Sequence, residues 1–305
     1  MFYVATLISR PDRPAVTEAL AQQVARYLPH GRPVAWLAPA VAVDIAFLLD
    51  ESEGEKEDLL KDLAGDIRDI IGSAPVDVVI QPHDGRRKKL LVADMDSTMI
   101  GQECIDELAD RAGLKDRVAA ITERAMRGEI DFAPALRERV ALLEGLPVTA
   151  IDTLIAERIR LTPGARTLVA TMRANGAYTC VVSGGFTAFT ERLAAMIGFD
   201  EQRANTLLVD ADGRLTGKVA EPVLGREAKL EALTTLRERF RLGHDDTLAV
   251  GDGANDIPMI RAAGLGVAFH GKPAVREAAA ACIDHGDLTA LLYAQGYRRE
   301  EFVER

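Results

Sequence analysis

The run Leu90-Leu91-Val92-Ala93 has the composition of a strand buried on both faces, and it passes straight into Asp94-Met95-Asp96-Ser97-Thr98. Two carboxylates at the end of a buried strand are costly unless a cation compensates them. The arrangement recurs twice: Cys180-Val181-Val182 leads into Ser183-Gly184-Gly185, and Thr247 to Val250 leads into Gly251-Asp252-Gly253-Ala254-Asn255-Asp256. Three strands ending in acids, hydroxyls and glycines predict a parallel sheet whose carboxyl edge gathers them, since α/β folds bind ligands there.

The intervening chain agrees. Thr162-Pro163-Gly164 opens a helix that Asn175-Gly176 closes, and Tyr178 to Val182 is a strand followed by a helix from Ala188 to Ile197. Asp210-Ala211-Asp212-Gly213 is the turn of a hairpin between Leu207 to Val209 and Leu215 to Val219. A helix around Glu227 to Phe240, the strand Thr247 to Val250, a helix from Asp256 to Ala263 and a strand from Gly266 to Ala268 continue the alternation. Gly101 to Leu161 is almost wholly helical, which reads as an insertion after the first strand. The expected class is α/β: a parallel sheet covered on both faces over 83–305, with a helical insertion at about 101–161.

Ahead of it, Phe2 to Ser9, Val34 to Leu37, Val41 to Leu49 and Val76 to Ile80 read as strands, with helices over Ala15 to Tyr27 and Glu51 to Ile71. The order βαββαβ predicts a small α+β, ferredoxin-like domain over 1–82. In layout it resembles the amino-acid-binding ACT type of regulatory domain, although no residue fixes a ligand. The alternative is a domain used only for packing or for holding a homodimer together. Gln81 to Lys89 reads as the linker, and its basic run Arg86-Arg87-Lys88-Lys89 as solvated.

At 305 residues and 48% hydrophobic, the chain suits two domains with real cores. A net charge of -10 argues against nucleic acid, whose backbone demands clustered Lys and Arg. Cys104, Cys180 and Cys282 have no redox or metal spacing, no basic leader opens the chain, and Pro39 and Asp44 interrupt the most apolar tract. The expectation is a reduced, cytoplasmic protein that does not enter a membrane.

The strand ends suggest chemistry. One carboxylate of the first end can attack phosphorus while a second protonates the leaving oxygen; Asp94 is read as nucleophile and Asp96 as general acid, later base, on the grounds that residues i and i+2 of an extended segment point the same way. Asp-x-Asp alone is weak, as the hairpin pair Asp210 and Asp212 shows. Ser183 with its glycines offers a phosphate cradle, or simply an N-cap. Asp252 and Asp256 offer oxygen ligands for a divalent cation, best magnesium; Asp256 alternatively caps the following helix. Lys229 could pair with phosphate and Asp94, though by itself it reads as a solvated lysine.

Asp94-x-Asp96-x-Thr98, Ser183-Gly184, Lys229 and Gly251-Asp252-Gly253-Ala254-Asn255-Asp256 resemble, in order, the four motifs of the haloacid dehalogenase-like phosphatases. The resemblance runs from about Lys89 onwards. It implies a Rossmann-like core with a helical cap inserted after the first motif at about 101–161, an essential Mg2+ on Asp94, Asp252 and the backbone carbonyl of Asp96, an aspartyl-phosphate intermediate, and Ser183 and Lys229 on the phosphoryl group. The stretch from Asp94 to Glu103, with Asp131-Phe132 and Arg139 to Leu146, is similar to the phosphoserine-hydrolysing branch of that family. That similarity implies Glu103 for the substrate's ammonium, Arg139 for its carboxylate, Phe132 and Met99 packing its backbone, and Gly184 and Asn255 also touching it. Phe132 and Arg139 are seven apart and share a helix face. Taken alone, Arg139 reads as solvated and Glu103 as a helix-opening acid. Rival readings are a phosphatase or phosphotransferase for another small ester such as phosphohomoserine, and a regulatory protein that has lost activity.

Overall fold

The computed structural model describes residues 1–49, 56–127 and 129–304. The chain begins with β1 (Phe2–Ile8), α1 (Glu18–Tyr27), β2 (Ala35–Ala38), β3 (Ala42–Leu48), α2 (Lys56–Ile71) and β4 (Asp77–Pro82). The four strands form an antiparallel sheet in the order β2-β3-β1-β4. The first helix starts at Glu18 and not at Ala15, because the N–H groups of Ala15 and Val16 are taken by Ser9 Oγ and the Ala40 carbonyl, and Thr17 then caps the helix by accepting from Leu20 at 3.1 Å. The opening residues of the expected helix from Glu51 lie outside the described residues.

Period-two alternation assigns the faces of this sheet. Tyr3, Ala5, Leu7, Val43, Ile45, Phe47 and Val78 pack with Val24 and Ile67 of the two helices. Ile8, Ala42 and Val79 lie in a different core cluster, shared with Leu291, Leu292, Tyr293 and Tyr297 near the end of the chain.

The second part comprises β5 (Leu90–Ala93), α3 (Cys104–Arg111), α4 (Lys115–Met126), α5 (Phe132–Ala141), α6 (Thr149–Glu157), α7 (Ala165–Ala174), β6 (Tyr178–Phe186), α8 (Thr187–Ile197), β7 (Glu201–Asn205), β8 (Leu207–Val209), β9 (Leu215–Val219), α9 (Arg226–Arg239), β10 (Thr247–Gly251), α10 (Ile257–Ala262), β11 (Leu265–Phe269), α11 (Pro273–Ala278), β12 (Ala281–Ile283) and α12 (Ala290–Ala294). Six strands make one parallel sheet in the order β12-β11-β10-β5-β6-β7. Helices α7 and α12 cover one face through Leu168, Met172 and Leu291, and α9, α10 and α11 cover the other through Leu233, Leu236, Ile260 and Val275. Helices α3 to α6 follow the first strand, and Leu108, Leu136, Val140 and Leu154 of α3, α5 and α6 pack in one cluster with Val181 and Phe186 of β6 and Phe189 and Leu193 of α8. The hairpin of β8 and β9 joins that cluster through Leu207, Leu215 and Val219 and bonds back to it, Gly145 N–H to the Leu215 carbonyl at 2.8 Å.

Two readings need correction. Strand β7 was not visible in the sequence: Glu201-Gln202-Arg203-Ala204-Asn205 has no apolar run, because it is an edge strand on which charge is tolerated. The basic run is not a solvated linker. Arg86 pairs with Asp44 at 2.6 Å, both side chains being about nine-tenths buried. Lys88 is also buried and donates to the carbonyls of Gly85 and Asp245, while Arg87 lies over the Tyr297 ring. Among the described residues no helix is long and apolar enough to cross a membrane.

Candidate active site

Strand β5 lies between β10 and β6, so its end stands between the other two polar ends. Asp94 is held there by its N–H, which donates to the Val250 carbonyl at 2.9 Å. The chain then turns sharply over 95–99. Ser97 takes φ +56°, and the turn is closed by its N–H on the Gln102 carbonyl and by Ile100 N–H on that of Met95. Extended geometry ends at this turn, and the two carboxylates address different partners. Asp94 faces Lys229, whereas Asp96 accepts from the Cys104 N–H at 3.0 Å and from Ser183 Oγ at 3.1 Å.

Lys229, near the start of α9, is 1% exposed. Its Nζ is 2.5 Å from both Asp94 Oδ1 and Asp256 Oδ1. Burial works against the ammonium, but the carboxylates of Asp94 and Asp256 more than offset it and hold Lys229 charged. Asp256 does more than cap a helix: it is fully buried and accepts the N–H groups of Asp252 and Gly253 at 3.1 and 3.0 Å. Carboxylate oxygens of Asp94, Asp252 and Asp256 lie within 4.8 Å of one another. Three buried acids against the internal Lys229 and the solvent-facing Lys272 on Asp252 leave negative charge uncompensated, and a phosphate would add more. Such a hard-oxygen set fits a divalent cation. Asp96 stands outside this cluster, and burial raises its carboxyl, favouring a proton on it.

Ser183 Oγ is organised on both sides, accepting the Gly185 N–H at 2.8 Å while donating to Asp96. Above it, the Phe132 ring is so close that a Cβ on Gly184 would meet Cζ at 3.2 Å, and a side chain there would have to push the ring aside. Phe132, the first residue of α5, thus reaches from the cap to the core loop. Arg139, one heptad on, is half-buried and not solvated, its Nε donating to the Ala135 carbonyl at 3.3 Å. Among the described residues it forms no ion pair, and burial lowers its proton affinity.

Glu103 stands at the mouth and accepts from Ser97 Oγ at 2.9 Å. Much of it faces solvent, yet the protein packed around its carboxyl, followed by the charge of Asp96, raises it to about 7. Asn255 is exposed beside the site. Met99, expected to pack the substrate's backbone, does not reach the site: it has no exposed surface and sits in the core cluster with Leu91, Ala93 and Leu168, because the tight turn over 95–99 folds it back under the strand ends.

Two participants were missed. Asn205, at the end of β7, donates to the carbonyls of Gly184 and Leu224 and accepts the Leu224 N–H at 2.7 Å, tying the serine loop to the segment before Lys229. Lys272, beyond β11, places Nζ 3.1 Å from Asp252 Oδ2, and its N–H donates to the Asp252 carbonyl at 2.9 Å. Both stand at or just past a strand's carboxyl end, the position that ligand-binding residues of such sheets occupy.

A parallel sheet with acids at its central strand ends, an internal lysine and a helical cap defines a class of hydrolase, and comparison with known proteins agrees. The family model of haloacid dehalogenase-like hydrolases matches residues 91–261. The chain belongs to that family. Among its relatives, phosphoserine phosphatase SerB2 of Mycobacterium tuberculosis is 47% identical over 228 residues, covering 74% of this chain and 55% of that protein. The phosphoserine phosphatase of Streptomyces coelicolor is 40% identical over 301 residues, covering 97% of this chain and 72% of its own length. A solved structure of a probable phosphoserine phosphatase from Vibrio cholerae superposes with a TM-score of 0.75 at 31% identity, covering 98% of this chain and 88% of that one.

Proposed function

We propose that this chain hydrolyses O-phospho-L-serine to L-serine and phosphate, the closing step of serine biosynthesis, through a phosphorylated Asp94. The observation that carries the reading is the buried Asp94–Lys229–Asp256 triad set beside a Ser183–Asp96 hydrogen bond under a cap that presents Phe132, Arg139 and Glu103. The relatives' names support the substrate.

In the first half-reaction an Asp94 oxygen attacks phosphorus as Asp96, its proton favoured by burial, protonates the departing serine oxygen. In the second, Asp96 takes a proton from water, which attacks the phosphoryl group and frees Asp94. Ser183 Oγ and Lys229 Nζ hold the phosphoryl oxygens. Glu103 receives the ammonium and Arg139 the carboxylate, with Phe132 against the backbone and Gly184 and Asn255 alongside. The acidic cluster of Asp94, Asp252 and Asp256, with the carbonyl of Asp96, suits Mg2+, which when bound neutralises phosphoryl charge so that one anion can approach another. We read 1–82 as an ACT-like domain and 83–305 as the catalytic domain with its cap at about 101–161. Three unbridged cysteines fit a reducing, cytoplasmic setting.

The test is phosphate release from phosphoserine by wild type and Asp94→Asn, each with and without Mg2+. Loss of a nucleophile predicts a fall of at least about 10^4-fold in turnover. Undiminished release by the Asn variant would sink the mechanism.

A further inference from the structure

The mechanism leaves Asp77 unused, yet its carboxylate is among the most fully engaged in the molecule. It opens β4 of the N-terminal sheet, is 4% exposed, and faces away from its own domain with Val79 and Gln81. Asp77 Oδ1 accepts the N–H of Asp284 at 2.8 Å and of His285 at 3.1 Å, and Oδ2 accepts that of Gly286 at 2.7 Å. These three residues form the loop after β12. A Cβ on Gly286 would stand 3.1 Å from Asp77 Oδ2, so the loop is shaped to the carboxylate.

That loop in turn holds the segment after β11. His270 N–H donates to the Ile283 carbonyl at 2.8 Å, and Nε2 lies 3.1 Å from the Gly286 carbonyl, fixing His270 at φ +45°, a conformation rare outside glycine. Two residues on, Lys272 grips Asp252 through backbone and side chain together. The line Asp77, 284–286, His270, Lys272, Asp252 is an unbroken run of hydrogen bonds and short backbone from the N-terminal domain to the acidic cluster.

We propose that Asp77 is a positioning residue of the catalytic site: by fixing the 284–286 loop it sets the 270–272 segment that holds Asp252 in place. The N-terminal domain thereby helps shape the cation site from a distance. The inference rests on reading Asp252 as a metal ligand. Groups that orient a ligand typically change metal affinity by about 10-fold or more when lost.

The experiment is calorimetric titration of the full-length protein with Mg2+ in the absence of substrate, for wild type, Asp77→Asn, His270→Asn, the double variant, and Val79→Ala as a control that weakens the same interface without touching the loop. Asn at 270 keeps tolerance of the positive φ but loses the imidazole's reach. Asp77→Asn and His270→Asn should each bind Mg2+ roughly tenfold more weakly, and the double variant no more weakly than the worse single, as expected of residues on one path. Val79→Ala should lower the melting temperature and leave Mg2+ affinity alone. Wild-type affinity in Asp77→Asn, or an equal loss in Val79→Ala, overturns the proposal. Absence of Mg2+ binding by wild type would overturn the metal assignment with it. Should Asp77→Asn not fold, His270→Asn, which leaves Asp77 in place, decides the question by the same criterion.

Discussion

At the scale of single residues the site is governed by surplus negative charge. Glu103 makes the consequence measurable. Its carboxyl ordinarily titrates at 4.5 but is raised to about 7, so in the free folded enzyme it is largely neutral below that pH. Pairing with an ammonium requires the carboxylate. The kcat/KM for phosphoserine should therefore rise as pH climbs through about 7, and Glu103→Gln should lose that limb. Ionisation of the substrate phosphate, near 6, is common to both enzymes and cancels in their ratio. A ratio independent of pH between 5.5 and 8 would remove Glu103 from ammonium recognition. The sign for folding is opposite. Above about 4.5 the unfolded chain releases this proton while the folded state keeps it to about 7, so Glu103 makes folding less favourable as pH rises across that window, and Glu103→Gln should flatten the decline in melting temperature there.

At the scale of elements, function depends on how closely strand ends approach. A Cβ on Gly251 would fall 2.3 Å from Asp256 Cγ, and Asp256 cannot retreat because Lys229 and two backbone N–H groups pin it. Gly251→Ala should cost about 1–3 kcal/mol in urea unfolding, the usual penalty of overpacking, and lower Mg2+ affinity together with it. A variant of wild-type stability would show that the loop relaxes freely. The same closeness explains what the sequence could and could not disclose. Apolar runs ending in Asp94, Ser183 and Asp252 were legible because a strand's interior and its ligand-bearing end differ sharply in composition. Lys229 looked solvated among the charges of α9, since its burial exists only once three strand ends converge around it. Asn205 and Lys272 are single polar residues in ordinary surroundings, and their one distinguishing mark is position, at the end of β7 and shortly beyond β11. Lys88 and Arg86 read as solvated because a basic run carries no trace in the sequence of the Asp44 carboxylate and Asp245 carbonyl that receive it.

At the scale of the molecule, the two sheets are joined by more than a tether. Ile8, Leu37, Ala42 and Val79 of the first part share one buried cluster with Leu291, Tyr293 and Tyr297 of the second, and around it lie the Arg86–Asp44 pair, the Gln81 amide on the Ala294 carbonyl, and Lys88 N–H on Gln295. Unfolding the small sheet alone would expose that apolar surface and take the Asp77 and Asp44 carboxylates away from the 284–286 N–H groups and from Arg86, so the two parts should unfold as one cooperative unit. The single tryptophan gives a direct reading, since Trp36 lies in β2 with Nε1 donating to Glu18 in α1, far along the chain from the acidic cluster. Urea midpoints from Trp36 fluorescence and from far-ultraviolet circular dichroism, which reports mainly the helices of the second part, should coincide. Mg2+ at about 100 times its dissociation constant should move both midpoints together by the equivalent of about 2.7 kcal/mol, although no proposed ligand lies in the first 82 residues. A loosely attached first domain predicts instead an earlier Trp36 transition that Mg2+ leaves where it was, and that result would also cut the path from Asp77 to Asp252.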